Sequence, residues 1–236
     1  MRPQKGVLYL LPTPLGDTSP ELVLPNSNFT IINNLNVFIV EELRTARRFL
    51  RSYGYKRNFE EVIFYVLNEH TLPEEYSGFL EEAEKGMSIG LLSEAGVPAV
   101  ADPGSSIVRI AHQKNIRVVP LIGPSSIIMA LMASGLNGQA FTFHGYLPVK
   151  PNERKQKLRD LTKQSNRQQH THIFIEAPYR NKQMIESILE VCHDDMLLCI
   201  ATNISLPTEA IATRTIKEWK RQNHDPSKNP TVYLIM

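Results

Sequence analysis

A chain of 236 residues, 42% apolar and 21% charged, can hold one large domain or two small ones around a real core, and this balance excludes a disordered chain. The net charge is only +2 but is unevenly spread: residues 1–117 carry 12 Lys and Arg against 14 Asp and Glu, whereas the other 119 carry 14 against 10. No apolar run approaches membrane-spanning length, and residues 1–5 lead directly into a short strand, so neither a membrane span nor a signal peptide is expected and the default compartment is a reducing cytoplasm.

In chain order, residues 6–11 read as a buried strand followed by the turn-rich loop Pro12-Thr-Pro-Leu-Gly-Asp17. Residues 29–32 and 37–40 supply further strand-like material. Residues 41–53 are helical, with Leu43, Ala46, Phe49 and Leu50 on one face and Arg44, Arg47, Arg48 and Arg51 elsewhere. A strand over 62–67 precedes an acidic helix over 73–85 that closes at Gly86. Strands over 87–92 and 117–122 flank a crossover helix over 107–113. Between the first of these strands and the helix lies a long loop, residues 93–106, with Gly96, Gly104, Pro98, Pro103, Glu94 and Asp102. Glycine and proline fix unusual turns and strip away side-chain bulk, so the loop offers bare backbone to a ligand at the carboxyl end of a strand.

The strand at 117–122 stops at Gly123-Pro124, where Ser125 or Ser126 caps an apolar helix over 127–134. A second unit follows, with strands over 141–144, 171–176, 196–202 and 231–236 and helices over 181–192 and 215–222. The chain therefore reads as two α/β domains, residues 1–119 and 120–236, with the cleft between them as the default ligand site. Cys192 and Cys199 alternate with apolar residues and have neither a C-x-x-C spacing nor a histidine cluster, which makes them buried reduced thiols rather than metal ligands. No metal is expected. Residues 149–172 carry seven cations (Lys150, Arg154, Lys155, Lys157, Arg159, Lys163, Arg167) against Glu153 and Asp160. Such a stretch suits a phosphate-bearing partner, or is simply a solvated helix face.

Six blocks in order resemble the signatures of the tetrapyrrole methylase superfamily: Tyr9-Leu-Leu-Pro-Thr-Pro-Leu-Gly16, Glu41-Glu-Leu-Arg-Thr-Ala-Arg-Arg48, residues 92–104, residues 118–126, Phe141-Thr-Phe-His-Gly-Tyr-Leu-Pro148 and Phe174-Ile-Glu-Ala-Pro-Tyr-Arg180. Within it they are most similar to the branch that methylates a cytidine 2′-hydroxyl in small-subunit ribosomal RNA. The resemblance implies a homodimer of two-domain subunits, each binding S-adenosylmethionine (SAM) in a bent pose between its halves. It also implies cofactor contacts at Pro14, Glu94, Ala95, Gly96, Val100 and Ala101 in the first half. In the second it implies Ser125, Ser126, Ile175, Glu176, Thr202, Asn203, Pro230 and Thr231. Loop backbone can take the methionyl group without the G-x-G-x-x-G fingerprint, which this chain lacks.

A ribose hydroxyl is a poor nucleophile, so a base must assist its deprotonation. Glu42, Glu69 and His70 are the candidates, with Arg44 as substrate or phosphate anchor; Glu42 and Arg44 equally suit a helix-surface pair. Where the ribosomal RNA branch usually has Ala-Glu-Asp-Thr-Arg, this chain has Val40-Glu-Glu-Leu-Arg44, and Glu94-Ala-Gly-Val-Pro98 replaces Asp-Ala-Gly-Thr-Pro. The sequence ends close after the last cofactor strand, where that branch commonly continues. Two other readings stay open: a methylase of a tetrapyrrole or other small molecule, and a SAM-binding or ribosome-associated protein without transfer activity.

Overall fold

The computed structural model describes residues 4–222 and 228–236, with the side chains of residues 166–168 left undescribed. Residues 1–3, which the sequence reading set before the first strand, and the side chain of Arg167 therefore lie outside the described residues. The chain divides into two compact units, Met1–Ser125 and Ser126–Met236.

Unit 1 is built on a five-stranded parallel sheet in the order β3-β2-β4-β1-β5, formed by β1 (Val7–Leu11), β2 (Val37–Val40), β3 (Ile63–Val66), β4 (Ile89–Leu92) and β5 (Arg117–Pro120). All four residues of β2 are buried because both faces of the sheet are covered, as a parallel sheet requires. Val37 and Ile39 join Leu8, Leu91 and Ile107 on one face, while Phe38 and Val40 join Leu11, Ile32 and Leu50 on the other. Ile32 and Leu50 come from α2 (Asn26–Asn33) and α3 (Leu43–Ser52), which follow the short α1 (Pro20–Val23). Ile107 comes from α5 (Gly104–Gln113).

Two expectations fail here. Residues 29–32 are helical, because the buried Asn28 side chain donates to the Ile122 carbonyl (2.8 Å) and buries one helical face with Ile32. β-Branched Ile31, Ile32 and Thr30 give a strand-like composition that tertiary contact overrides. Residues 73–85 form no continuous helix: turns of 3₁₀ helix at Pro73–Glu75 and Gly78–Leu80 precede α4 (Glu81–Glu84). Gly78 in mid-segment weakens helical propagation enough for the chain to turn and bury Phe79 and Leu80.

Unit 2 carries a mixed sheet in the order β6-β7-β10-β8-β9, from β6 (Phe141–Tyr146), β7 (Thr171–Glu176), β8 (Leu197–Thr202), β9 (Ala210–Thr215) and β10 (Thr231–Ile235). Only β6 and β7 pair in parallel. One face packs Phe174, Leu198, Ile200 and Tyr233 against Leu158 and Leu161 of α7 (Pro151–Gln168), Met184 and Ile188 of α8 (Asn181–Val191), and Trp219 of α9 (Ile216–Trp219). The other receives α6 (Ser126–Ser134), which packs on β8, β9 and β10. Cys192 and Cys199 are buried free thiols whose ionisation burial pushes up. Among the described residues no helix is long and apolar enough to cross a membrane, and no group of three His, Cys, Asp or Glu is arranged to hold a metal ion.

Candidate functional site

The carboxyl ends of β1, β2 and β4 lie side by side in unit 1, so the segments leaving them meet. Thr13 and Gly96 form an isolated antiparallel bridge, with Thr13 N–H donating to the Gly96 carbonyl (2.9 Å) and Gly96 N–H to that of Thr13 (3.1 Å). Ser93 Oγ donates to the Gly96 carbonyl as well (3.2 Å), which fixes the start of the loop. Gly96 sits at φ +75°, and a Cβ there would come 3.0 Å from the Leu15 side chain and 3.2 Å from the Pro124 carbonyl. Glycine is required on both counts.

Further along, Ala99 (φ 67°) and Ala101 (φ 65°) hold left-handed backbone, which costs energy for residues with a Cβ. Asp102 maintains it: its carboxylate accepts from Ala99 N–H (2.8 Å) and from Gly104 N–H (2.7 Å). Burial still pushes the Asp102 carboxyl above its ordinary range, with those two amides opposing. Pro14, Glu94, Ala95 and Gly96 are thus gathered in one place, while Val100 lies farther along the loop and is 47% exposed.

A cavity of about 670 Å³ opens beside this latch, lined among others by Pro14, Asp17, Thr45, Arg48, Phe49 and Glu94. Thr45 Oγ1 bridges its walls by donating to Glu94 Oε1 (2.7 Å). Neither Glu69 nor His70 lines the cavity; both side chains are more than 80% exposed on a turn, 3.7 Å apart.

Glu42, a candidate base in the sequence, is taken up as a helix cap, and its neighbour Glu41 lies in a different environment. Glu42 is the N-cap of α3, its two carboxylate oxygens accepting from the amides of Arg44 (2.8 Å) and Thr45 (2.6 Å), and these bonds hold its carboxyl below the usual range. A carboxylate so engaged is a poor base. Glu41, at the end of β2, is half-buried and accepts from the Glu94 amide (3.2 Å). Burial raises its carboxyl, the Glu94 amide opposes, and the Asp102 and Glu94 charges add to the rise. The sequence signal for Glu41 was available: it directly follows a fully buried strand, where side chains at the carboxyl end face the loops. Arg44 is exposed on the first turn of α3, with its guanidinium uncommitted among the described residues.

In unit 2 the sheet register places Glu176 and Thr202 on either side of Thr231, with Ile175 opposite Val232. Asn203, at φ 52°, donates its amide to the Pro230 carbonyl (3.0 Å), and Thr202 and Thr231 hydroxyls lie 3.4 Å apart. Glu176 Oε1 accepts from Arg180 and from the Ala177 amide (2.7 Å), while its buried Oε2 has no hydrogen-bond partner among the described residues. Ser125 and Ser126 end one unit and begin the other, and Ser126 opens α6.

The family profile described as Tetrapyrrole (Corrin/Porphyrin) Methylases matches residues 29–220. Ribosomal RNA small subunit methyltransferase I of Haemophilus influenzae is 30% identical over 233 residues, spanning 98% of this chain and 78% of that protein. The protein of the same name from Xylella fastidiosa is 31% identical over 220 residues, spanning 92% and 75%. In the solved structures, the crystal structure of the methyltransferase CobJ superposes with a TM-score of 0.64 at 17% identity, covering 98% of this chain and 93% of that one, which shows a shared fold.

Proposed function

The chain belongs to the tetrapyrrole (corrin/porphyrin) methylase family, and from that premise we propose that it transfers a methyl group from SAM to a ribose 2′-hydroxyl of small-subunit ribosomal RNA. The observation that carries this reading is the similarity, over nearly the whole chain, to relatives named as ribosomal RNA methyltransferases.

The residues present suit the cofactor. Gly96 and the left-handed Ala99 and Ala101 present backbone without side-chain bulk, and the sealed Glu176 Oε2 is an acceptor suited to a ligand hydroxyl or amine. We assign to SAM the loop residues Pro14, Glu94, Ala95, Gly96, Val100 and Ala101. Ser125, Ser126, Ile175, Glu176, Thr202, Asn203, Pro230 and Thr231 complete the set. When bound there, SAM would supply an electrophilic methyl on a sulfonium.

The chain's own work is to position the hydroxyl, exclude water and accept one proton. Glu41 is the group we place there, since a half-buried carboxylate with a raised pKa is a stronger base than Glu42, which is spent on capping α3. Glu69 and His70, solvated on their turn, have no such environment. Arg44 is left as an RNA phosphate anchor. A homodimer also follows from this reading: Ile128 and Met132, one turn apart on α6, are 45% and 77% exposed and give an apolar face for a second copy. A monomeric mass by light scattering would remove that element.

The test is transfer of radiolabelled methyl from SAM to small ribosomal subunits that lack the modification. Wild type should label ribosomal RNA at a ribose. Glu41→Gln should cut kcat by about 10²-fold or more, and Glu42→Gln should act mainly on stability. No labelling by wild type at any stage of subunit maturation would overturn the RNA reading; equal activity of Glu41→Gln and wild type would overturn the base.

A further inference from the structure

The cavity beside the 93–104 loop is lined by groups of several chemical kinds. Its walls bring together a cation (Arg48), two carboxylates (Asp17, Glu94), a half-buried aromatic ring (Phe49) and the apolar Pro14 and Leu15. Of the four arginines on α3, Arg47 and Arg51 lie over the rings of Phe59 and Phe64, and Arg51 also donates to the Tyr55 carbonyl (2.6 Å). Arg48 has no such commitment among the described residues and lines the cavity.

A ligand matched to these walls carries an anion for Arg48, hydroxyl or amine donors for Asp17 and Glu94, and a flat apolar ring for the Phe49 side. We propose that the cavity takes a single unstacked nucleotide of the acceptor RNA, with Arg48 on its phosphate and Phe49 flanking its base, an inference that rests on the RNA methyltransferase reading. A volume of about 670 Å³ falls within the size range of small-molecule sites and admits one nucleotide. A ribose held in a paired helix cannot enter a recess, so the nucleotide must leave its stack, as single-stranded RNA bases do when read by proteins. Pro14, Glu94 and Ala95 belong both to the cavity wall and to the loops assigned to SAM, which sets a seated ribose against those loops.

The experiment measures KM and kcat for methyl transfer to unmodified small subunits, and SAM affinity by calorimetry, for wild type, Arg48→Ala, Arg48→Lys and Ser52→Trp. Ser52 is an exposed cavity-wall residue at the end of α3, so tryptophan there fills space without entering the core. Arg48→Ala should raise KM for subunits roughly tenfold with kcat within about twofold, and Arg48→Lys should recover part of that loss. Ser52→Trp should abolish transfer. All three should bind SAM as wild type does, which also verifies that they fold. Unchanged KM in both Arg48→Ala and Ser52→Trp would overturn the proposal, and weakened SAM binding in either would give the cavity to the cofactor instead. Should wild type itself label no RNA, the parent reading fails before any variant is compared, and this inference falls with it.

Discussion

Helices α3 and α7 carry the densest positive charge in their units, yet each retains only part of it for a ligand. On α3, Arg47 lies 5.2 Å from the centre of the Phe64 ring, and Arg51 lies 4.0 Å from that of Phe59. These cations stabilise an aromatic cluster. On α7, Arg154 is 2% exposed and donates to Ser187 Oγ (3.0 Å) and the Val149 carbonyl (3.0 Å), while Lys155 pairs with Glu190 (2.6 Å). Among the described side chains, what remains is Arg44 and Arg48 on one helix and Lys157, Arg159 and Lys163 on the other. Charge counted along a sequence overstates the charge a polyanion can reach, because arginine in particular also serves as a multidentate donor inside the fold.

The largest effect should come from the most buried cation. Arg154→Ala would leave the Ser187 hydroxyl and the Val149 carbonyl without their donor and open a void between α7 and α8, costing about 3 kcal/mol and lowering Tm by roughly 6–10 °C. Lys155→Ala, which loses a partly solvated pair, should stay within about 0.5 kcal/mol. Thermal denaturation of the two variants distinguishes them. A cost below about 1 kcal/mol for Arg154→Ala would mean that its hydrogen bonds are no better than those it makes with water.

The same competition decided how much was legible in advance. A buried strand such as Val37–Val40 was plain in the sequence because a continuous apolar run has few other uses. Residues 29–32 were not, since the contact that makes them helical, Asn28 to Ile122, spans 94 positions. The edge strand Ala210–Thr215 was missed altogether: its alanines and threonines carry little hydrophobic signal, and its pairing with β8 is what orders it. At the site, glycine and proline marked the 94–104 loop well, whereas the left-handed backbone of Ala99 and Ala101 carries no signal in the residue type. Glu41 was passed over although it directly follows the buried strand Val37–Val40, because which of two adjacent glutamates the helix takes as its cap is decided by the fold.

An intermediate effect should separate the free cations of α7 from the paired one. Replacing Lys157, Arg159 and Lys163 with Gln should weaken binding to ribosomal RNA by about 2 kcal/mol at low salt, roughly 30-fold, and lower the slope of log affinity against log salt by about two. The sequence suggested Lys155 as one of the gripping residues, but its bond to Glu190 takes it out of that set. Lys155→Gln should accordingly leave the salt slope where it is. Equal slopes for the triple variant and wild type would show that RNA does not touch this helix.

The smallest effect concerns what α7 does to the sheet beneath it. On the strands under this helix, His172 is buried, with Nδ1 3.0 Å from His144 Nε2 and Nε2 without a hydrogen-bond partner among the described residues, and the ring centre of His170 lies 5.0 Å away. Burial lowers the His172 pKa to about 4, and the charges of His144, His170 and Lys157 push the same way. The unfolded chain restores an ordinary histidine, so between about pH 6.5 and pH 4 the unfolded state binds a proton that the folded state refuses. Stability should therefore be complete above that window and fall as pH drops through it. The full shift would correspond to about 3 kcal/mol, and solvent reaching the partly exposed His144 and His170 reduces the expected loss to about 1–2 kcal/mol. Denaturant unfolding of wild type and His172→Gln at pH 7 and pH 4 isolates it: the stability gap between them should change in favour of the variant by that amount on acidification. An unchanged gap would mean that acid reaches His172 freely, and that α7 neither shields the ring nor repels its proton through Lys157.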